Sequence, residues 1–223
     1  MRRILFLLPV IVLLLGSGIG WWRVGRADDV EQVNGGWDLI SPSPNAVAVR
    51  ASTKLPGIYP AGSRVKDAEA LGGFGGCDNF PKNLGDKTWG EKGAVSLIAF
   101  PDEPVAYFKS RGIALRLVNR TPETVAFTAC DSQIYIVQEA LDAKGAWRAI
   151  ESLPFTDCGN SFHRVFLGPD QYWEFKARTY DGPIKTKIRF RLNRDGEENK
   201  ADSVYTGEFE GQVNEAQFRQ TQP

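Results

Sequence analysis

Polar and apolar residues alternate with a period of two through much of the second half of the chain. The clearest case is residues 184–192, where Ile, Thr, Ile, Phe and Leu alternate with two lysines and two arginines. Residues 113–118 and 172–178 show the same period. This period predicts β-strands with one buried and one solvated face. We therefore expect an all-β domain over residues 94–218.

Turn-forming residues separate these strands at short intervals. Such signals stand at 101–102, 119–122, 142–145, 168–170 and 181–183. No helix of ordinary length is predicted between them, so the crossover helices of an α/β fold have no place in this region. The pattern favours about eight to ten short strands in an antiparallel two-sheet sandwich.

Three short motifs mark the turns of this region. They are Asn119-Arg120-Thr121, Gly145-Ala146-Trp147 and Leu167-Gly168-Pro169-Asp170-Gln171. In these motifs residues 112–192 resemble the immunoglobulin-like β-sandwich domains of exported bacterial proteins. The motifs are structural, so the resemblance implies an immunoglobulin-like fold and no particular function.

An apolar run near the N-terminus predicts a membrane helix. Residues 4–22 are nineteen uncharged residues, preceded by Arg2-Arg3 and ending in Trp21-Trp22. As a helix they span about 28 Å, close to the thickness of a bilayer core. The arginines would hold the N-terminus inside, and the tryptophans would lie at the outer interface.

The alternative is a cleaved signal peptide over residues 1–27. Small residues suited to cleavage stand at Gly16-Ser17-Gly18 and at Gly25-Arg26-Ala27. We favour the retained anchor, because the end of the run still has membrane character. The anchor predicts a single-pass protein of the cell membrane with its C-terminal domain outside the cytoplasm. Cleavage would make the protein secreted.

Residues 28–93 are rich in glycine and proline and lack a long periodic pattern. They also contain several large apolar residues, which a pure linker does not need. We expect either a stalk between the membrane and the sandwich or a segment that wraps onto the sandwich. The last five residues, 219–223, form a polar tail.

Charge balance excludes one class of partner. The chain has 27 basic and 27 acidic residues, and the basic residues of the first segment leave the exported part with a net charge of −4. Nucleic-acid binding normally requires a basic footprint, so we expect no nucleic-acid partner.

Three cysteines, Cys77, Cys130 and Cys158, are consistent with an oxidising compartment. Cys130 and Cys158 both lie in the predicted domain, so a bridge between them is favoured; on the chain-entropy model it contributes roughly 3–4 kcal/mol. Cys77 then remains a free thiol or pairs with another molecule. A bridge between Cys77 and Cys158 is the alternative.

Catalytic and metal chemistry find little support in the sequence. The single histidine, His163, follows Cys158, but a bridged cysteine cannot serve as a nucleophile. Oxygen side chains alternate from Asn193 to Asn199, yet Val204 stands where a calcium loop has its glutamate. We predict no catalytic residue, no metal ligand and no cofactor.

A row of cations on one strand face is the most specific feature of the sequence. Lys185, Lys187, Arg189 and Arg191 could contact a polyanion. They could also pair with glutamates of the next strand, in a register that places Lys187 opposite Glu208 and Lys185 opposite Glu210. We favour this pairing, which leaves Arg189 and Arg191 without acidic partners and hence as candidate binding residues.

Surface aromatic residues could add a stacking platform for sugar rings. The candidates are Tyr135, Trp147, Tyr172, Trp173 and Tyr180, of which Trp173 is expected in the core. Tyr135 and Trp147 therefore join the two arginines as candidate binding residues.

The sequence thus favours a non-enzymatic binding or structural module of the cell envelope, with the membrane and an envelope protein as partners. A module that binds carbohydrate or a polyanion, such as an envelope polysaccharide, is the alternative. An enzyme ranks third.

Overall fold

The structure, a computed structural model, describes residues 39–65, 73–153, 161–194 and 202–219. Within these ranges the fold is all-β, with no α-helix and a 3-10 helix at Glu215–Phe218. The first seven strands are β1 (Leu55–Pro56), β2 (Lys82–Asn83), β3 (Val95–Tyr107), β4 (Ser110–Asn119), β5 (Val125–Cys130), β6 (Gln133–Ile134) and β7 (Ile136–Leu141). The others are β8 (Trp147–Ala149), β9 (Glu151–Ser152), β10 (Phe162–Leu167), β11 (Gln171–Arg178), β12 (Ile184–Asn193), β13 (Ser203–Tyr205) and β14 (Phe209–Val213). The predicted all-β class is confirmed.

The strands form several sheets, most of them antiparallel. The four-stranded sheet has the order β2-β11-β4-β3. The five-stranded sheet has the order β13-β12-β7-β8, and β14 also pairs with β12. A third sheet has the order β10-β5-β6, and β1 and β9 form a short parallel pair. Strands distant in the sequence, such as β4 and β11, are therefore direct neighbours.

The inward positions of these strands share one hydrophobic core. Leu115 of β4, Trp173 and Phe175 of β11 and Phe190 of β12 have no exposed surface. Burial of each such side chain contributes about 1.5–3 kcal/mol. The indole N–H of Trp173 donates to the carbonyl of Gly62 at 2.9 Å, so its polar atom is also satisfied. The predicted core position of Trp173 is confirmed.

The described parts of residues 28–93 lie against the sheets. Tyr59 and Ala61 belong to the main core, β1 pairs with β9, and β2 is the edge strand of the four-stranded sheet next to β11. Leu84 and Trp89 pack with Val118 on the face of the four-stranded sheet that points away from the main core. This segment therefore contributes side chains to the interior and covers an outward sheet face.

The register predicted for the basic strand is wrong. Lys187 lies opposite Glu210, and Lys185 lies opposite Gln212. The cause is in the partner strand, because β12 pairs with β13 in one register and with β14 in another. Thr206 still pairs with Phe190, whereas Phe209 pairs with Ile188, so one extra residue bulges between them.

Three predictions concern residues outside the described ranges. They are the membrane segment at residues 4–22, the Cys158 end of the predicted disulfide, and the oxygen side chains at 195–199. Among the residues that are described, no helix is both long and apolar enough to cross a membrane. No disulfide joins Cys77 to Cys130.

Candidate functional site

Three of the four candidate binding residues lie close together on the five-stranded sheet. Arg189 and Arg191 belong to β12, and both bond to Glu139 of the neighbouring strand β7. Trp147 of β8 stacks on Arg189. Tyr135 is only 3% exposed, and its backbone carbonyl accepts from the N–H of Asn193 on β12.

Arg189 is held between two aromatic rings and a carboxylate. Its guanidinium carbon lies 4.2 Å from the ring centre of Trp147 and 4.3 Å from that of Tyr205. Its Nε and Nη2 atoms each lie 2.8 Å from Oε2 of Glu139. Arg191 bonds to the other oxygen of the same carboxylate at 2.8 Å. We call Arg189, Glu139, Trp147 and Tyr205 the β12 arginine clamp.

The premise that Arg189 and Arg191 lack acidic partners is therefore wrong. Their partner is on β7, whereas the sequence interpretation looked for it only on the strand that follows β12. Glu139 is 4% exposed, so its pairing with both arginines takes place out of water. Two guanidinium groups share this one carboxylate, so the three side chains together keep one positive charge.

A second clamp of the same design lies on the four-stranded sheet. Arg116 of β4 lies directly opposite Glu174 of β11, and its Nε donates to Oε2 of that glutamate at 2.7 Å. Its guanidinium carbon lies 4.2 Å from the ring centres of both Trp89 and Phe100. We call these four residues the β4 arginine clamp. In both clamps a cross-strand arginine and glutamate lie on an outward sheet face between aromatic rings.

Two further charged residues bond to the β4 arginine clamp. Lys82 of β2 donates to Oε1 of Glu174 at 3.0 Å, and Glu103 of β3 accepts from Arg116 at 2.7 Å. Burial alone would raise the pKa of Glu174, but hydrogen bonds from Arg116 and Lys82 lower it below the ordinary value. Burial likewise disfavours charged Arg116, yet Glu103 and Glu174 raise its pKa. The cluster is therefore held in its ionised form.

Sequence reasoning missed the β4 clamp although its signal was present. Arg116 and Glu174 both occupy outward positions of strands that the period of two had identified. Whether they meet depends on the pairing of β4 with β11, and strands more than fifty residues apart do not reveal their pairing through local pattern.

A third charged cluster lies in the interior, around Glu151 of β9. The hydroxyl of Tyr59 donates to Oε2 of this carboxylate at 2.7 Å, and that of Tyr180 donates to Oε1 at 3.1 Å. Arg178 at the end of β11 lies 3.7 Å from Oε1 and donates to the hydroxyl of Tyr107 at 2.8 Å. We call these five residues the Glu151 cluster.

Burial raises the pKa of the carboxyl and hydroxyl groups of the Glu151 cluster. It raises the pKa of Glu151, against the charge of Arg178 and the hydrogen bonds that lower it. It also raises the pKa of Tyr107 to about 12, and it raises the pKa values of Tyr59 and Tyr180 above their ordinary value. Each hydroxyl already has a protein partner and the carboxylate is fully covered, so the cluster's geometry is that of a polar core.

His163 is a buried strand residue of β10. Its Nδ1 lies 3.0 Å from the carbonyl oxygen of Ser161, and its ring stacks on Phe74 at a centroid distance of 3.7 Å. The thiol of Cys77 has its pKa raised by burial, which disfavours the reactive thiolate. Cys158, the cysteine considered with His163, lies outside the described residues.

The proposed aromatic platform is not formed by the residues named for it. Tyr135, Tyr172, Trp173 and Tyr180 are all buried, and Tyr180 is committed to Glu151. Trp147 is partly exposed but uses one ring face for Arg189. Among the aromatic residues considered, only the partly exposed rings of the β12 clamp, Trp147 and Tyr205, are accessible to a ligand.

Oxygen and nitrogen side chains do not assemble into a cation site in the described part of the chain. There, no group of three or more His, Cys, Asp or Glu residues is placed to hold a metal. Asn193 is the first of the alternating oxygen side chains that were compared with a calcium loop. Its side-chain oxygen accepts hydrogen bonds from Arg191 and Ser203.

Comparison with known proteins adds no family to this description. The chain matches no protein-family model, no curated protein and no solved structure.

Proposed function

We propose that this protein is a non-enzymatic binding or structural module of the cell envelope. Residues 4–22 anchor it in the membrane, and an immunoglobulin-like sandwich lies outside the cytoplasm and binds an envelope protein through a sheet edge or loops. The all-β fold with several antiparallel sheets supports the sandwich. The apolar run between Arg3 and Arg23 supports the anchor.

The observation that carries the non-enzymatic role is the pairing of buried charges with one another. Arg116 faces Glu174, Arg178 faces Glu151, and Arg189 shares Glu139 with Arg191. In an active site such groups would be presented to a substrate. Here they face partners within the fold, which favours a scaffold whose partners contact its surface.

Chemical cross-linking in intact membranes tests this proposal. The full chain carries a C-terminal affinity tag, and cross-linked species are purified from the membrane fraction after detergent extraction. We expect one reproducible species containing the chain and an envelope protein. Recovery of the chain only from the soluble cytoplasmic fraction would contradict the anchor, and recovery from membranes without any cross-linked partner would contradict the binding role.

Export also supports the predicted bridge between Cys130 and Cys158. Cys130 is the last residue of β5 and lies opposite Phe162, the fourth residue after Cys158 in the sequence. Alkylation of the denatured, unreduced protein should therefore modify Cys77 alone. Mass spectrometry that finds three alkylated thiols would contradict the bridge.

Binding of an acidic polysaccharide is a second candidate function. It is favoured by the β12 clamp, which brings Trp147, Arg189 and Arg191 to one face. The test compares Trp147→Ala with Trp89→Ala, since each tryptophan stacks on a clamped arginine at 4.2 Å. Polygalacturonate binding, measured by calorimetry, should be lost only in Trp147→Ala. Equal binding by the two variants would exclude this function for the β12 clamp.

A further inference from the structure

Exposed apolar side chains gather at the turn between β3 and β4. Six large hydrophobic residues of the described ranges are strongly exposed, and three of them lie at this turn. Val47 is 72% exposed, Ile40 57% and Phe108 56%. Exposed apolar side chains that lie close together on a surface indicate a site of contact with an apolar partner.

Backbone hydrogen bonds bring these three residues together. Ala106 of β3 and Arg111 of β4 are paired across the hairpin, close to its turn. The N–H of Ala106 donates to the carbonyl of Ile40 at 2.7 Å, and the N–H of Arg111 donates to the carbonyl of Val47 at 2.9 Å. The segment that contains Ile40 and Val47 therefore contacts both strands of the hairpin beside Phe108.

The turn itself holds Phe108 in a costly conformation. Its φ of 51° lies in the left-handed region, which glycine occupies more easily than any bulky residue. The nearby Arg111 is an exposed cation. The turn thus presents an aromatic ring with a positive charge beside it, where a glycine would suit the backbone better.

Aromatic and aliphatic side chains next to cations are the combination that binds a lipid surface. The ring and the aliphatic groups enter the headgroup region, while the cations contact anionic lipids. Seventeen residues separate Trp22, at the end of the predicted anchor, from Ile40. Even fully extended, that stretch of chain spans at most about 60 Å. The apolar group is therefore tied to the neighbourhood of the membrane.

We propose that Phe108, Val47 and Ile40 form a membrane-contact tip that rests on the outer leaflet of the bilayer that residues 4–22 span. This inference rests on the proposed membrane anchor. It adds a second point of contact with the lipid, at the turn between β3 and β4.

A photo-cross-linking amino acid tests the membrane-contact tip. Benzoylphenylalanine replaces Phe108 in the full chain, which is reconstituted into vesicles of phosphatidylethanolamine and phosphatidylglycerol. The matched control carries it at Lys92, an exposed turn residue just before β3. β3 runs alongside the ten residues of β4, which places this control roughly 35 Å from the tip. A second test position is Val47, which is independent of the strained turn.

After irradiation, lipid adducts are counted by intact-protein mass spectrometry. We expect several-fold more adduct at positions 108 and 47 than at position 92. A chain that floats with the vesicles but gives equal adducts at all three positions, or none at 108 and 47, overturns the membrane-contact tip alone. A chain that does not float with the vesicles overturns the anchor, and the tip with it.

Discussion

At the scale of single residues, two buried glutamates respond to pH in opposite directions. Folding raises the pKa of Glu151 from its ordinary value of 4.5, because burial outweighs the groups that stabilise its charge. Folding lowers the pKa of Glu174, because Arg116 and Lys82 outweigh its burial. An acid with a raised pKa stabilises the fold most at low pH, and one with a lowered pKa stabilises it most at high pH.

Glutamine substitutions separate these two contributions. The free energy of unfolding of the native chain minus that of Glu151→Gln should fall as the pH rises above about 4.5, through the pKa of the folded state. The same difference for Glu174→Gln should shrink as the pH falls below about 4.5. Urea denaturation of the three proteins from about pH 3 to about pH 8 measures both. Slopes of the same sign would contradict the two environments.

At the scale of strands, the arginine clamps show why an outward sheet face can be as well packed as a core. Aromatic rings cover each guanidinium, and a glutamate on the adjacent strand accepts a hydrogen bond from its Nε atom. Charges buried in this way stabilise only as a complete set, because a remaining partner has neither water nor a counter-charge.

Removal of Glu139 tests the β12 clamp. Glu139→Ala leaves both Arg189 and Arg191 without their carboxylate, and Arg191 is buried. We expect a loss of about 3–5 kcal/mol in the free energy of unfolding. The control is Glu210→Ala. Glu210 is the exposed partner of Lys187, which lies on β12 like the two arginines. If both variants unfolded at the same urea concentration, the clamp would contribute no more to stability than the exposed ion pair does.

The close approach of β4 to β11 requires a glycine at position 112. A Cβ atom there would clash with the carbonyl oxygen of Ala177 and would lie 3.0 Å from Cβ of Tyr107. Gly112→Ala should therefore cost about 1–3 kcal/mol through displacement of paired strands. Gly207→Ala is the control, since its Cβ would have no neighbour within 4 Å. Thermal unfolding that ranks the two variants equally would contradict this close contact.

Local pattern predicted the strands better than it predicted their partners. The period of two correctly placed Trp173 on an inward face and Arg189 on an outward face, because side chains alternate between the two faces within a single strand. The partner Glu139 lies fifty residues before Arg189, and the register that places Glu210 opposite Lys187 includes a bulge of one residue between β13 and β14. Pairing and bulges depend on contacts distant in sequence, which a single strand does not encode.

At the scale of the whole molecule, the buried charges pair within the domain while apolar residues remain exposed at the turn of Phe108. The buried charges of the two clamps and of the Glu151 cluster therefore act within the fold. The partners of the domain are expected to be held near it, which the proposed anchor and the membrane-contact tip both provide.

Membrane topology is the most direct test of this proposal. Cells that express the full chain are converted to spheroplasts, treated with protease from outside, and their membranes are then extracted with alkaline carbonate. We expect the untreated chain to stay in the carbonate-resistant membrane fraction with residues 4–22 intact, and the external protease to digest the β domain. A chain that is extracted by carbonate and protected from the protease would contradict an exported, anchored β-sandwich.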